Sequence, residues 1–232
     1  MASTLFDKLW RQHLVAEQPG GAALIAIDRI FLHERTGSIA LKSLRESGRA
    51  VVDPSRVFCT MDHIVDTFPG RGDETKMPGG KAFIVETREA AREAGIHLFD
   101  VRDPDQGIVH VISPELGIVL PGATVVCPDS HTCTQGAMGA FAWGIGSTEA
   151  EHALATGTLR IAKPKTMRVR FDGALAPGVT AKEAQAEMDG ITRRLTSGRS
   201  VRSLSGESCS KLNLPIGMSR IPVRRLNGSL TK

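Results

Sequence analysis

Apolar positions recur along this chain at two spacings, one typical of helices and one typical of strands. A capping box at Thr4 and Asp7 precedes an apolar stripe at helical spacing, which predicts a first helix. Further helices are predicted within residues 37–48, over 81–94, from Ser147 through Leu159, and from a second capping box at Thr180. Strands are predicted at residues 23–27, 57–61, 97–100, 107–112, 124–127 and 166–171. This alternation predicts an α/β fold with three α/β/α layers.

Polar residues accompany the predicted strands at three places. Asp62 and His63 follow one apolar run, an Asp-Ser-His-Thr segment follows another strand after Pro128, and His110 lies inside the run at 107–112. A carboxylate beside an imidazole suits proton transfer near neutral pH, and strand ends hold such groups in fixed positions. A single histidine in an apolar strand is more often a core residue, but three such sites favour an acid–base centre. The candidate catalytic residues are Asp62, His63, His110, Asp129 and His131.

Two glycine-rich segments adjoin these strand ends. Residues 66–80 are rich in glycine, proline and charge, which predicts a loop after His63 in the position of a lid. Residues 136–146 contain neither GxxxxGK[ST] nor GxGxxG. We therefore interpret this second segment as closely packed backbone and not as a phosphate-binding loop.

The composition, with 41% hydrophobic and 23% charged residues, is typical of a globular protein. No apolar run reaches the roughly 20 residues of a membrane helix, and the first residues form no leader, so we expect a cytoplasmic protein with no membrane partner. The four cysteines form no CxxC pair, and we interpret all of them as structural or incidental. They are Cys59, Cys127, Cys133 and Cys209.

The net charge of +4 is concentrated at the end of the chain. From Asp189 onward, nine Lys or Arg and two Asp or Glu residues give +7, while the preceding residues carry −3. This segment has eight serines and no sustained apolar period, which predicts an irregular tail over 189–232 after an α/β domain over 1–188. The tail has no aromatic residue for base stacking, so a nucleic-acid-binding module is the weaker alternative and we expect no nucleic-acid partner.

Several motifs, taken in their order, resemble those of the aconitase superfamily. They are Asp28-Arg29, His33-Glu34, Met61-Asp62-His63, Gly107-Ile108-Val109-His110, Pro128-Asp129-Ser130-His131-Thr132, Gly144-Ile145-Gly146 and Pro177-Gly178-Val179-Thr180-Ala181-Lys182. The resemblance runs from about Leu5 to about Glu183 and is nearest to the large subunits of 3-isopropylmalate dehydratases. It implies an incomplete aconitase-like domain and a hydro-lyase that isomerises 2-isopropylmalate to 3-isopropylmalate in leucine biosynthesis.

The resemblance also implies roles for the candidate catalytic residues. Asp62 and His63 match the pair that protonates the leaving hydroxyl group. His110, Asp129 and His131 match groups that hydrogen-bond this hydroxyl or an iron-bound water. These roles agree with the acid–base centre that the strand ends predict.

Substrate and cofactor contacts follow from the same resemblance. Ser130 is expected near a substrate carboxylate, and His33 at a position that reads the substrate. The implied cofactor is a [4Fe–4S] cluster held by three cysteines, one iron of which acts as a Lewis acid. The family's cluster cysteines lie in a Cys-Thr-Asn segment and a later CxxC, and this sequence contains neither. The implied partner is a small subunit with a swivelling domain, a serine base and arginines for the substrate carboxylates.

The departures from the family pattern motivate a hypothesis and two alternatives. Family large subunits are about twice as long, and this chain turns Arg- and Ser-rich where they continue with apolar residues. The hypothesis is therefore a truncated or frameshifted large subunit whose native sequence ends between about Glu183 and Asp189. One alternative is a dehydratase of a smaller 2-hydroxy diacid such as 2-methylmalate. The other is a mononuclear Zn or Fe(II) hydrolase whose ligands are the five candidate catalytic residues.

Overall fold

Five parallel strands form the central sheet in the computed structural model, which describes residues 3–165, Gly178 and Thr180. The chain divides into units Met1–Pro164 and Lys165–Lys232, and the described helices and strands belong to the first unit. The helices are α1 (Leu5–His13), α2 (Gly37–Glu46), α3 (Gly80–Glu93), α4 (Val109–Glu115) and α5 (Ser147–Thr156). The strands are β1 (Leu14–Gln18), β2 (Ala22–Ala26), β3 (Arg29–His33), β4 (Val57–Thr60), β5 (His97–Phe99), β6 (Thr124–Cys127), β7 (Phe141–Gly144) and β8 (Thr158–Ala162). Short 3₁₀ segments cover Pro19–Gly21, Pro54–Arg56 and Thr132–Met138.

The central sheet has the strand order β5-β4-β3-β6-β7, and all neighbouring strands are parallel. From β3, the strands β4 and β5 are added in chain order on one side. The chain then crosses back, and β6 and β7 are added on the other side of β3. This reversal makes the carboxyl ends of β3 and β6 a topological switch point, where open α/β sheets usually bind their ligands. A separate antiparallel sheet contains β1, β2 and β8.

Helices pack on both faces of the central sheet. Successive side chains of a strand point to opposite faces, so neighbouring residues of β3 contact different helices. Leu32 of β3 packs in a cluster with residues of α2, α3 and α5. Its neighbour Phe31 packs in a second cluster with Val109 of α4 and Val125 of β6. Both Leu32 and Phe31 are fully buried. The predicted three-layer α/β/α fold is confirmed.

Most of the local predictions are also confirmed. The capping box of α1 forms as expected, since Thr4 Oγ1 accepts the Asp7 N–H (3.1 Å) and Asp7 Oδ2 accepts the Thr4 N–H (3.3 Å). Helices α2 and α3 and strands β2, β4, β5 and β6 occupy the predicted segments to within a few residues. Residues 66–79 contain neither helix nor strand, as expected of a loop.

Two predictions about secondary structure are wrong. The run around His110 is helix α4 and not a strand, because its buried residues Val109, Ile112 and Ser113 recur at helical spacing while Val111 is exposed. Helix α5 ends at Thr156 and does not reach Leu159, which pairs with Ile25 in the antiparallel sheet. Gly157 stops the helix in a left-handed conformation (φ 66°).

Other elements were not predicted or lie outside the described residues. Strands β1, β3, β7 and β8 were missed, including the strand at the centre of the sheet. The strand predicted at 166–171, the residues after Thr180 of the helix predicted there, the domain boundary at 188 and Cys209 fall outside the described part. No helix in the described part is long and apolar enough to cross a membrane.

Candidate active site

The candidate site lies at the carboxyl edge of three adjacent strands. His33 is the last residue of β3, Asp62 and His63 follow β4, and Asp129 follows β6. Because β4 and β6 both pair with β3 in parallel, their polar ends meet at the switch point. His110 approaches the same place from helix α4.

His63 lies between two carboxylates. Its Nδ1 is 2.6 Å from Asp62 Oδ1, and its Nε2 is 2.8 Å from Asp129 Oδ2. Each ring nitrogen therefore faces an acceptor, an arrangement that stabilises the protonated imidazolium. The hydrogen bond to Asp62 raises the pKa of His63 above its ordinary value, against an opposing effect of burial. Asp62 is also fixed by α4, since Val109 N–H donates to Asp62 Oδ2 (2.9 Å).

Asp129 joins the imidazoles into one network. Its Oδ1 accepts from His110 Nε2 (3.1 Å) and from the His131 backbone N–H (2.6 Å), while its Oδ2 faces His63. Burial would raise the pKa of Asp129, but the His131 N–H and the His110 ring outweigh burial and lower it to about 2. Asp129 is thus a carboxylate at any ordinary pH.

His110 is supported by a residue that the sequence analysis missed. Gln135 Nε2 donates to Ser113 Oγ (2.6 Å) and lies 3.5 Å from His110 Nδ1. Gln135 and Ser113 are both buried. These contacts fix the side of α4 that carries His110, and only the three-dimensional contact identifies Gln135.

His33 stacks on His63, with ring centroids 3.8 Å apart and an interplanar angle of 15°. Its Nε2 donates to the Pro128 carbonyl (3.0 Å), so Nδ1 is the unprotonated nitrogen of a neutral ring, and this buried Nδ1 has no hydrogen-bond partner. Burial lowers the pKa of His33 below its ordinary value. Burial therefore favours the neutral form of His33, whereas the Asp62 carboxylate favours the protonated form of the His63 ring on which His33 stacks.

Ser130 and His131 are on the outer side of the same loop. The His131 side chain is 70% exposed, and its Nδ1 lies 3.4 Å from both Ser130 Oγ and Asp129 Oδ1. The structure thus brings His33, Asp62, His63, His110 and Asp129 into direct contact and leaves Ser130 and His131 facing solvent beside them. Such exposed groups are free to meet a substrate that enters from above the sheet edge.

Glu34 is a second residue that the sequence analysis left without a role. It follows His33, is fully buried, and accepts the backbone N–H groups of Asp62 (2.9 Å), His63 (2.7 Å) and Ile64. The sequence carried no direct signal for this role, because the three N–H groups lie 28 to 30 residues further along the chain.

The loop after His63 is tied to the body of the domain. Asp73 forms a two-pronged ion pair with Arg88 of α3 (2.6 and 2.8 Å), and Arg88 also binds Asp100 after β5 (2.5 and 2.8 Å). Within the loop, Arg71 contacts Gln106, whose amide donates to the Met61 carbonyl next to Asp62. The loop therefore reaches the site through side-chain contacts, and its action as a lid stays a prediction.

One group of described residues has the spacing of a metal site. Ligand atoms of His33, Glu34, Asp62 and His63 lie within 4.8 Å of one another. However, Glu34 already accepts three N–H groups, and both nitrogens of His63 face carboxylates. The group includes only two of the five ligands expected for a metal hydrolase, so the described geometry favours proton transfer over that alternative.

The described cysteines do not fit a [4Fe–4S] cluster. Cys59 and Cys127 are fully buried in two different hydrophobic clusters, while Cys133 is exposed. Burial raises the pKa of the Cys59 and Cys127 thiols well above the ordinary value, which disfavours the thiolate that iron requires. Within residues 3–165, the cysteines therefore offer no set of three ligands for a cluster, and Cys59 and Cys127 are part of the hydrophobic core.

The fold and the site together define a class: a doubly wound α/β domain with an aspartate–histidine hydrogen-bond network at its switch point. The sequence model of the aconitase family (aconitate hydratase) matches residues 7–201, which is most of the chain. The chain belongs to the aconitase family, whose members are hydro-lyases that normally bind a [4Fe–4S] cluster. The predicted superfamily is confirmed, and the matched range includes the first residues of the predicted tail.

Proposed function

We propose that this chain is a large subunit of the 3-isopropylmalate dehydratase type, which isomerises 2-isopropylmalate to 3-isopropylmalate in leucine biosynthesis. The observation that carries the proposal is the His63 ring held between the carboxylates of Asp62 and Asp129 in a chain of the aconitase family. Membership of the family supports the hydro-lyase reaction. The choice of substrate rests on the motifs that resemble those of isopropylmalate dehydratases.

The network suits the proton transfers of a dehydration. A leaving hydroxyl group departs as water only if it receives a proton, and the carboxylate neighbours of His63 raise its pKa and so favour its protonated form. Asp62 orients the ring through Nδ1, so the proton at Nε2 is the one that a substrate hydroxyl would take in place of Asp129. In the rehydration, the neutral ring accepts a proton from the incoming water.

The charges at the site support a partner. Within residues 3–165, the ion-pair partners of Asp62 and Asp129 are all histidines. A diacid placed beside these two carboxylates needs additional cations, which the arginines of a swivelling small subunit would supply. The same subunit would supply the base that removes the carbon-bound proton.

The cofactor belongs to the same proposal. The three described cysteines do not fit a cluster, and Cys209 is the one other cysteine in the sequence, so we propose that this chain does not hold the cluster with its own thiolates alone. A bound cluster would supply a Lewis acid for the leaving hydroxyl and a substrate carboxylate.

The test is an assay of the full chain with and without a small subunit of the isopropylmalate dehydratase type. After anaerobic treatment with iron and sulfide, absorbance of the unsaturated intermediate is followed with 2-isopropylmalate, 2-methylmalate and citrate. The proposal expects turnover of 2-isopropylmalate above the other two acids and its loss in His63→Asn. Preference for another acid would replace the substrate assignment, and failure with all three in the complete complex would reject the proposed activity of this chain.

A further inference from the structure

Glu34 connects the ends of two neighbouring strands. It lies just beyond β3, and its carboxylate receives three consecutive N–H groups from the segment that leaves β4. Two of these N–H groups belong to Asp62 and His63, the pair that forms the acid of the site. The side chain of Glu34 itself does not reach the outer surface, since it is fully buried.

Burial of this carboxylate is costly unless its oxygens are fully hydrogen-bonded. None of the ion pairs formed by the described residues involves Glu34, so the three backbone N–H groups provide its compensation. Such bonds to a charged acceptor are short and strong. They require the segment at 62–64 to keep one backbone conformation.

That conformation determines where His63 points. The His63 ring must meet Asp62 at Nδ1, Asp129 at Nε2 and the flat face of His33 at the same time. Three contacts in different directions leave little freedom for the backbone that carries the ring. We propose that Glu34 is a positioning residue, which holds the backbone of Asp62 and His63 so that the imidazole is directed at Asp129.

The inference rests on the proposed function, because positioning His63 matters only if His63 acts in the hydro-lyase reaction. The test of the inference does not require activity. In the wild-type chain, the amide hydrogens of residues 62–64 should exchange slowly with solvent. In Glu34→Gln, an NH₂ group replaces one acceptor oxygen and faces a backbone donor, so these three amides should exchange at least about tenfold faster. Glu34→Asp keeps the charge and should show a smaller acceleration.

A second measurement separates positioning from general stability. The groups that face His63 are Asp62, Asp129, His33 and Glu34, and the charge of Glu34 helps to raise the His63 pKa. The NMR titration midpoint of His63 should therefore fall in Glu34→Gln. It should fall less in Glu34→Asp.

Thr87→Val is the matched control, because the buried Thr87 Oγ1 donates to the Glu34 backbone carbonyl (3.1 Å) and not to its carboxylate. This variant should lower the melting temperature and leave the His63 midpoint unchanged. Equal effects of Thr87→Val and Glu34→Gln on His63 would show a merely structural role and overturn the proposal. If Glu34→Gln does not fold, the wild-type chain and Glu34→Asp provide the test. Fast exchange of the three amides in the wild-type chain overturns the proposal. Slow exchange there, together with a lowered His63 titration midpoint in Glu34→Asp, supports it. Loss of the proposed activity alone would leave these outcomes unchanged.

Discussion

His63 Nε2 lies 2.8 Å from Asp129 Oδ2, although the two residues follow different strands, β4 and β6, on opposite sides of β3. The contact closes a chain of acid–base groups that runs from Asp62 through His63 and Asp129 to His110. Asp129 is the shared member of this chain. A change at Asp129 should therefore affect both imidazoles.

Asp129→Asn should reduce kcat by about 100-fold or more, the usual size of a general-acid contribution. An amide removes the negative charge beside His63 Nε2, so the His63 pKa should also fall. Steady-state assays and the NMR titration of His63 measure the two effects. Asp105→Asn, at an exposed aspartate in a turn, is the control and should change neither. Wild-type kcat in a folded Asp129→Asn protein would remove Asp129 from the proton-transfer network.

Asp129 should also make stability depend on acid pH. Its pKa falls from 3.8 to about 2 on folding, so its stabilisation is fully present above pH 3.8 and is lost as the pH falls toward 2. A shift of this size corresponds to about 2 kcal/mol. Urea unfolding at a series of pH values should show that the difference between wild type and Asp129→Asn shrinks between pH 5 and pH 2. A difference that stays constant over this range would contradict the assignment.

Local patterns predicted most of the scaffold but not the way it converges. The capping box at Thr4 and the apolar run before Asp62 are short-range signals. They correctly predict helix α1 and strand β4. The strand predicted at 107–112 is wrong, because four apolar residues in six are compatible with both a buried strand and a half-buried helix. Only packing against Phe31 and Val125 decides that Val109 begins a helix.

The strand order could not be read from the sequence either. The sequence shows the motif residues only as separate groups. The contact between His63 and Asp129 requires that β4 and β6 both flank β3, and no local pattern shows this. Because β3 was not predicted, the strand that brings His63 and Asp129 together was absent from the predicted sheet. Glu34 and Gln135 were missed for a related reason, since each acts through partners distant in sequence.

Gly144→Ala should destabilise the protein and disturb the site. A methyl group at Gly144 would lie 2.5 Å from the Asp129 carbonyl oxygen, so the backbone of the loop that carries Asp129 would have to move. Overpacking of this kind typically costs about 1–3 kcal/mol. Gly136→Ala is the matched control, because a methyl group there meets nothing within 4 Å. The free energy of unfolding in urea and kcat should both fall for Gly144→Ala only, and equal behaviour of the two variants would contradict close packing at Gly144.

Arg88→Lys should loosen the loop that follows Asp62 and His63. Arg88 binds Asp73 of the loop and Asp100 with its whole guanidinium group, a geometry that a lysine ammonium cannot reproduce. The side chain of Arg88 is only 17% exposed, so the loss should be about 1 kcal/mol or more. Arg92→Lys provides the matched control, because Arg92 is 69% exposed and lies 4.0 Å from Asp100. Limited trypsin digestion, followed by mass spectrometry, should show faster cleavage within residues 66–79 in Arg88→Lys than in Arg92→Lys. If both variants are cut at the wild-type rate, the ion pair with Asp73 does not hold the loop, and its anchoring must come from the contacts of Arg71 and Gln106 instead.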